Sequence, residues 1–335
     1  MPRHEHPPAT GRDGAHRAQW RLVIGRVARG FFRTSSADAA AGLTFYAVLA
    51  GFPAIVAAFS LIGLTGRKQD VISAILDAGE EVLDASIIAD IREPVEDAAA
   101  SAGGGWVLTI SLVVALWSVA RYVTALGRAI NRAYDVPEGR VVWKAKPVQL
   151  LITLAVFVLV WIAGLLAALS WPVARSLGRA LGAGEVTLTV WRLARWPAVV
   201  LVVMLVVAIL YYFAPNVRHP RFRLVSVGAA IAIVLFALAS AGFGFYVGSV
   251  ANYDRLYGSF AGIVVFLVWL WLGNMALLVG ALFDAELERL RELRAGIPAE
   301  RTLQVQLRGT ERLQRNAEND VRDARRARRI RRSRP

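Results

Sequence analysis

The chain has 335 residues, 56% of them hydrophobic, and a mean hydropathy of +0.48. A soluble domain of this size rarely holds so much apolar content in long blocks, so composition excludes an ordinary soluble fold. The formal net charge is +14, and the sequence contains no cysteine, which excludes disulfides, thiol catalysis and zinc–thiolate sites.

Six apolar stretches of about twenty residues run through the chain. A helix rises about 1.5 Å per residue and the hydrocarbon core is about 30 Å thick, so each stretch is long enough to cross a bilayer. The sequence therefore predicts an all-α, polytopic integral membrane protein with six transmembrane helices. These spans lie at roughly 43–64, 105–126, 148–171, 196–213, 224–248 and 260–283.

The charge distribution divides the chain and predicts its orientation. We expect a basic, largely disordered N-terminal tail over 1–34, a six-helix membrane domain over 35–290 and an Arg-rich tail over 291–335. Most Lys and Arg lie in segments that would share one side, so the positive-inside rule places both termini in the cytoplasm of a bacterial cell. The loop 173–195, which carries four Arg, fits this topology poorly.

The connection between the first two spans is acidic and amphipathic. Acids greatly outnumber the single base, Arg92, between residues 70 and 97, and apolar residues recur there with a rough helical period. This pattern predicts one or two amphipathic helices on the extracytoplasmic face.

The first span contains two features that affect helix geometry. Asp38 lies where the helix enters from the cytoplasm, a position at which a carboxylate interacts favourably with the helix dipole. Pro53 lies inside the span and is expected to kink it, because proline removes one backbone hydrogen bond.

A stripe of arginine follows the end of the second span. At 100° per residue, Arg128 and Arg132 each fall within about 20° of Arg121 on a continuous helix, on either side of it. Two interpretations stay open: the side chains snorkel to the headgroups, or they form a cationic track for an anionic ligand. Asn131 and Asp38 complete the candidate ligand-binding set.

Glycines and one amide in the later spans predict helix packing. Gly244 with Gly248, and Gly258 with Gly262, have GxxxG spacing, which lets helices approach closely and permits a homo-oligomer. Asn274 is an isolated amide in the last span, and we expect it to form an interhelical hydrogen bond.

The C-terminal tail ends in an arginine run, 325–332. It is either a solvated tail or a surface for anionic lipid headgroups. No aromatic residue is interleaved with the arginines, so we expect no specific nucleic-acid binding.

Several local motifs occur in order along the chain. They are D-x4-LTFY from Asp38 with Phe52-Pro53, AIN-x-AY from Ala129 with Trp143, Y-x2-PN from Tyr212, Y-x3-YGS from Tyr253, and Gly280-Ala281 before Ala285-Glu286. Taken together, they resemble the YihY/BrkB family of bacterial inner-membrane proteins, over roughly 35–290. The resemblance implies a six-helix protein of the cytoplasmic membrane. Members have carried the labels ribonuclease BN and serum-resistance virulence factor, and lipid transport has been proposed for some.

These residues support two hypotheses about the function of the protein. The leading hypothesis is a transporter or flippase of an anionic amphiphile such as a lipid, without an ATP-binding motif; the alternative is a non-catalytic scaffold of an envelope complex. Ribonuclease activity is disfavoured, because general acid–base cleavage needs convergent His, Lys or carboxylates and only His219 lies outside the N-terminal tail. We expect membrane lipids as partners and neither a metal nor another cofactor.

Overall fold

The fold consists of helices joined by short connections. A computed structural model describes residues 12–63, 92, 105–168, 185–218, 226–249 and 261–332, and within these ranges the chain forms eight helices and no strand. The predicted all-α class is confirmed. The helices are α1 (Arg12–Arg33), α2 (Ser36–Gly63), α3 (Gly105–Ala133), α4 (Val142–Ala168), α5 (Glu185–Phe213), α6 (Val227–Ser249), α7 (Ala261–Arg294) and α8 (Glu311–Arg332).

Six of these helices, α2 to α7, are long and apolar enough to cross a membrane. The predicted six spans are therefore confirmed, and the chain is a membrane protein. The amphipathic helices predicted between the first two spans lie outside the described residues, as does Gly258.

The six spans form a ring in chain order, with α7 packed against both α6 and α2, and with α3 also touching α5 and α7. Successive spans run in opposite directions, so α2, α4 and α6 begin where α3 and α5 end. We call this end of the bundle the polar end, because the described ion pairs between different helices lie there.

The apolar core lies mainly in the half of the bundle near the polar end. Helices α2 and α3 bury residues along most of their length, from Ala40 to Ser60 and from Ser111 to Ala133. In contrast, the described side chains of α4 beyond Val156, of α5 before Val207 and of α6 beyond Ala232 include none that is fully buried. The far halves of these three helices therefore present apolar side chains to the surrounding lipid.

Helix α1 corrects the prediction of a largely disordered tail over 1–34. Val23 and Val27 are 1% and 5% exposed, and they pack with Ala133 and Leu282. Valines four residues apart form an apolar stripe that one face of a helix can bury. The prediction extended the disorder expected from the polar first residues across this stripe.

Close helix approach uses different glycines from those predicted. A Cβ on Gly244, Gly248 or Gly262 would meet no heavy atom within 4 Å, so these residues make no close contact with another described helix. Instead, the backbones of Gly228 in α6 and Gly280 in α7 touch each other. The faces that carry Gly244, Gly248 and Gly262 contact none of the other described helices closely, whereas α6 and α7 cross near the polar end at Gly228 and Gly280.

Proline and glycine act differently in the remaining elements. Pro53 lies inside α2, which continues through it to Gly63. Gly296 adopts a φ of 78°, a left-handed conformation that favours glycine, and ends α7.

The chain then returns over the polar end in residues 295–310, here called the return segment. Arg218 N donates to Gln306 O at 2.8 Å and Arg308 N donates to Asn216 O at 3.0 Å, which ties this segment to the end of α5.

Candidate functional site

Three arginines form an exposed cationic face on α3. Arg121, Arg128 and Arg132 are all exposed, and α3 runs without interruption from Gly105 to Ala133, as the predicted stripe requires. Arg121 lies five residues inside the predicted edge of the span at 126, or roughly 8 Å along the axis. The stripe therefore begins within the apolar part of α3 and continues to the polar end.

Arg121 is held between two aromatic rings. Its Cζ lies 5.7 Å from the centroid of the Trp117 ring and 5.9 Å from that of the Tyr46 ring. Trp117 is itself 57% exposed, so this group faces the outside of the bundle. Cation–π contacts stabilise a guanidinium where water is scarce and leave its N–H groups available to an anion.

No carboxylate among the described residues forms an ion pair with Arg121, Arg128 or Arg132. Asp38 is exposed on α2 and makes no such pair with the stripe. The positive charge on this face of α3 is therefore not neutralised by described side chains of the protein itself.

Asn131 differs from the arginines with which it was grouped. It is 3% exposed and points into the polar end, away from the cationic face. Its Oδ1 accepts from the backbone N of Asn216 at 2.7 Å, and its Nδ2 donates to Glu138 Oε2 at 2.9 Å. Because both ends of the amide have partners inside the protein, Asn131 joins structural elements and does not face a ligand.

Asn216 joins the end of α5 to the return segment and to the connection between α3 and α4. It is fully buried, and its Nδ2 donates to Pro137 O and to Gly309 O, both at 3.1 Å. Its Oδ1 accepts from Gly309 N at 3.1 Å. A buried amide with all these partners fixes the relative positions of three chain segments.

Glu138 and Arg140 form a two-pronged ion pair beside this amide. Arg140 Nε lies 2.8 Å from Glu138 Oε1 and Nη2 lies 2.9 Å from Oε2, while Nη2 also donates to Ala214 O at 2.8 Å. Burial alone would raise the pKa of Glu138, but the hydrogen bonds and charge of Arg140, with the Asn131 amide, outweigh it and lower the pKa.

We expect Glu138→Gln to lower stability only where the carboxylate is charged. A lowered folded-state pKa means that the pair stabilises the protein fully above the ordinary value of 4.5 and loses this contribution as the pH falls through the folded-state pKa. The free energies of unfolding of wild type and variant should therefore differ at pH 7 and converge toward pH 3. Detergent titration at a series of pH values measures this.

The control for this experiment is Glu318→Gln, since Glu318 is 70% exposed in its pair with Arg322 on α8. It should not change stability measurably at either pH. A difference for Glu138→Gln that stays constant across the pH range would contradict the expectation.

A second ionic cluster joins α1, α7 and the end of α3. The Arg289 side chain is 1% exposed and lies 3.2 Å from Glu286 Oε2 and 3.7 Å from Asp135 Oδ2. Arg26 Nε lies 2.7 Å from the same Glu286 oxygen, and Arg33 pairs with Asp135 at 3.0 Å. Glu286 therefore pairs with α1 and α7, and not with the arginine stripe.

A polar group deeper in the bundle joins three spans. Asn274 Nδ2 donates to Thr44 Oγ1 at 3.1 Å, and Tyr122 Oη donates to Asn274 Oδ1 at 2.8 Å. The interhelical hydrogen bond predicted for Asn274 is confirmed. The partners Thr44 and Tyr122 were not predicted, because hydropathy alone does not show which spans are neighbours.

The sequence of the chain matches a known protein family. The family model described as Virulence factor BrkB matches residues 27–303, which include α2 to α7 and most of the return segment. The chain belongs to the BrkB family. No solved structure matches it.

Proteins related to this BrkB-family chain align with it over different fractions of its length. The putative ribonuclease-like protein YfkH of Bacillus subtilis is 28% identical over 76% of the chain and 90% of that protein. A UPF0761 membrane protein of Alkalilimnicola ehrlichii is 28% identical over 78% of the chain, which spans 57% of that protein. One from Chromobacterium violaceum is 45% identical, over 25% of the chain and 20% of that protein.

The described acidic residues do not form a metal-binding group. The described residues contain no group of three or more His, Cys, Asp or Glu that could hold a metal ion. Glu138, Glu286 and Asp135 are each occupied by arginine partners. These three carboxylates therefore neutralise arginines at the polar end of the bundle.

Proposed function

We propose that this BrkB-family protein transports or flips anionic amphiphiles, with a phospholipid headgroup captured by the cationic face of α3. The observation that carries the proposal is the position of Arg121, which is exposed inside the apolar part of α3 with two aromatic neighbours and no described carboxylate partner. An arginine at such a depth is expensive to keep in place, and so it is a functional-site hypothesis by default.

The three arginines provide a graded route for a headgroup. From Arg132 to Arg121 the stripe is about 16 Å long, and about 8 Å of this length lies inside the predicted span, roughly a quarter of the thickness of the hydrocarbon core. A phosphate could exchange between successive guanidinium groups, each of which offers paired N–H donors that match its oxygens. Its acyl chains would remain among the apolar side chains and lipids outside the bundle.

The distribution of basic residues suggests the orientation of the protein, and its sequence motifs bear on the energy source. We place the polar end on the cytoplasmic side of the bacterial inner membrane, because 26 of the 30 Lys and Arg among the described residues lie at that end, in residues 12–33, 127–147, 214–218 and 284–332. The sequence has no phosphate-binding GxxxxGK[ST] loop, so movement in this proposal is passive or driven by an ion gradient.

The experiment is reconstitution into liposomes that contain a trace of fluorescent phosphatidylglycerol in both leaflets. Dithionite added outside should bleach about half of the fluorescence in empty vesicles and clearly more when the protein moves lipid between leaflets. Phosphatidylcholine with the same label tests charge selectivity, because the arginine stripe should favour a net anionic headgroup over a zwitterionic one.

We expect Arg121→Gln combined with Arg128→Gln to reduce lipid movement at least tenfold, since the two cations that receive the phosphate are removed. The matched control is Arg218→Gln with Arg301→Gln, which removes two exposed positive charges elsewhere at the polar end. The control should retain the wild-type rate. Equal loss in both doubles would indicate a general charge effect and reject the specific role of the stripe.

The alternative, a scaffold of an envelope complex, predicts a different result in the same assay. Wild-type protein would then leave the bleached fraction at the value of empty vesicles, for both lipids. That outcome would reject transport and favour the scaffold.

A further inference from the structure

We propose that α8 is a membrane-surface helix whose arginine face binds anionic lipid headgroups of the bilayer in which the protein is embedded. Helix α8 covers Glu311–Arg332, and no residue in it is buried. Its 22 residues give a length of about 33 Å. A helix of this size with no intramolecular cover needs another surface to fix its position.

The charge of α8 is concentrated in its second half and on one side. Residues 311–320 carry more acids than bases, whereas Asp323 is the only acid among the many arginines of residues 321–332. At 100° per residue, five of these arginines fall within an arc of about 120°. This arginine face consists of Arg322, Arg325, Arg326, Arg329 and Arg332.

The start of α8 is fixed at the polar end. Arg312 N donates to Gly139 O at 3.0 Å, and a Cβ on Gly139 would collide with the backbone carbonyl of Gly309. The guanidinium of Arg308 lies over the rings of Tyr212 and Phe213, at 5.0 and 5.5 Å from their centroids.

These anchors place the helix near the lipid headgroups. Tyr212 and Phe213 are the last residues of α5, and aromatic side chains at the end of a span lie at headgroup level. A tether this short keeps the bilayer surface permanently within reach of α8, so the effective concentration of headgroups is high. Charge complementarity then favours an anionic leaflet.

A nucleic acid fits the helix less well than a lipid surface. The sequence of α8 contains no aromatic residue on which a base could stack. Helix α8 also lies beyond residue 303, where the family match ends, so this surface is a feature of the chain separate from the BrkB core. The proposal does not depend on lipid transport.

The test uses full-length protein in nanodiscs and exploits the absence of cysteine from the chain. Val321→Cys, at the edge of the arginine face, carries an environment-sensitive fluorophore, and Ala327→Cys on the other side of the helix is the matched control. Acrylamide, a neutral quencher, reports exposure in discs of phosphatidylcholine alone or with about one third phosphatidylglycerol. We expect about threefold weaker quenching of the Val321 label in anionic discs, with little change at Ala327.

Two further measurements test whether the shielding of the Val321 label depends on charge. Shielding should disappear in about 0.5 M salt, because exposed charges are screened beyond a few ångströms there. It should also disappear in the triple variant Arg325→Gln, Arg326→Gln, Arg329→Gln, which leaves the bundle unchanged. Equal quenching in both discs would overturn the proposal, as would shielding by added single-stranded RNA in neutral discs without any effect of phosphatidylglycerol.

Discussion

Replacement of Arg289 by Ala should cost about 3 kcal/mol of stability, the lower end of the range for breaking a buried ion pair, because it removes a buried cation shared by two carboxylates and leaves each of them with a single partner. Glu286, 6% exposed, would keep only Arg26, and Asp135 only Arg33. The buried carbonyl of Ala299, which accepts from Arg289 Nη1 at 2.7 Å, would lose its donor.

The measurement is unfolding by SDS in mixed micelles, followed by tryptophan fluorescence. Limited proteolysis should also detect release of the return segment, since Ala299 lies within it. The matched control is Arg291→Ala two positions along α7, whose pair with Glu288 has the same i,i+3 spacing and a 2.7 Å contact but is 55% exposed at the arginine. It should cost under about 1 kcal/mol. Similar losses in the two variants would mean that burial of Arg289 is not decisive.

Gly280→Val should separate α6 from α7 and destabilise the bundle by roughly 1–3 kcal/mol or more. A Cβ at Gly280 would collide with the carbonyl oxygen of Gly228 and would lie 2.7 Å from the Tyr211 hydroxyl and 2.8 Å from the Ala232 side chain. Two of these three neighbours belong to α6, and a backbone carbonyl cannot rotate away as a flexible side chain would. The thermal unfolding midpoint of the detergent-solubilised protein reports the loss.

Gly262→Val is the matched control, on the same helix and with the same β-branched side chain. No heavy atom of a described residue lies within 4 Å of the added Cβ, and valine has a higher helix propensity than glycine, so this substitution should not lower stability measurably. The result that would contradict the packing argument is a midpoint shift as large at Gly262 as at Gly280.

Span number and class were predictable because each span is a long apolar run, a signal that needs no knowledge of neighbours. The arginine stripe was also predictable, since the periodicity of a continuous helix fixes which residues share a face. The same reasoning could not show that Asn131 faces inward, because its partners Glu138 and Asn216 come from other parts of the chain. Contacts distant in sequence depend on helix order around the ring.

Glycine spacing was a poor guide for the same reason. The GxxxG pairs marked faces on which close approach is possible, but the actual contact is between Gly228 and Gly280, which are far apart in sequence and have no mutual spacing rule. Helix α1 was missed because its two buried valines are few and lie among many basic residues. The spacing of Val23 and Val27, four residues apart, was the feature of the sequence that could have predicted a helix here.

The one-sided core has a mechanical consequence. Helices α4, α5 and α6 bury residues only near one end, while α2 and α3 stay packed along most of their length. Helix α6 is also held to α7 in its far half, where Trp269 Nε1 donates to Ser240 Oγ at 3.0 Å. Outward bending of α4 and α5 would pivot about their buried contacts and leave these intact, so we expect the opposite rim to widen there at low energetic cost. Lateral pressure and bilayer thickness should therefore act on that rim first, before any buried contact is disturbed.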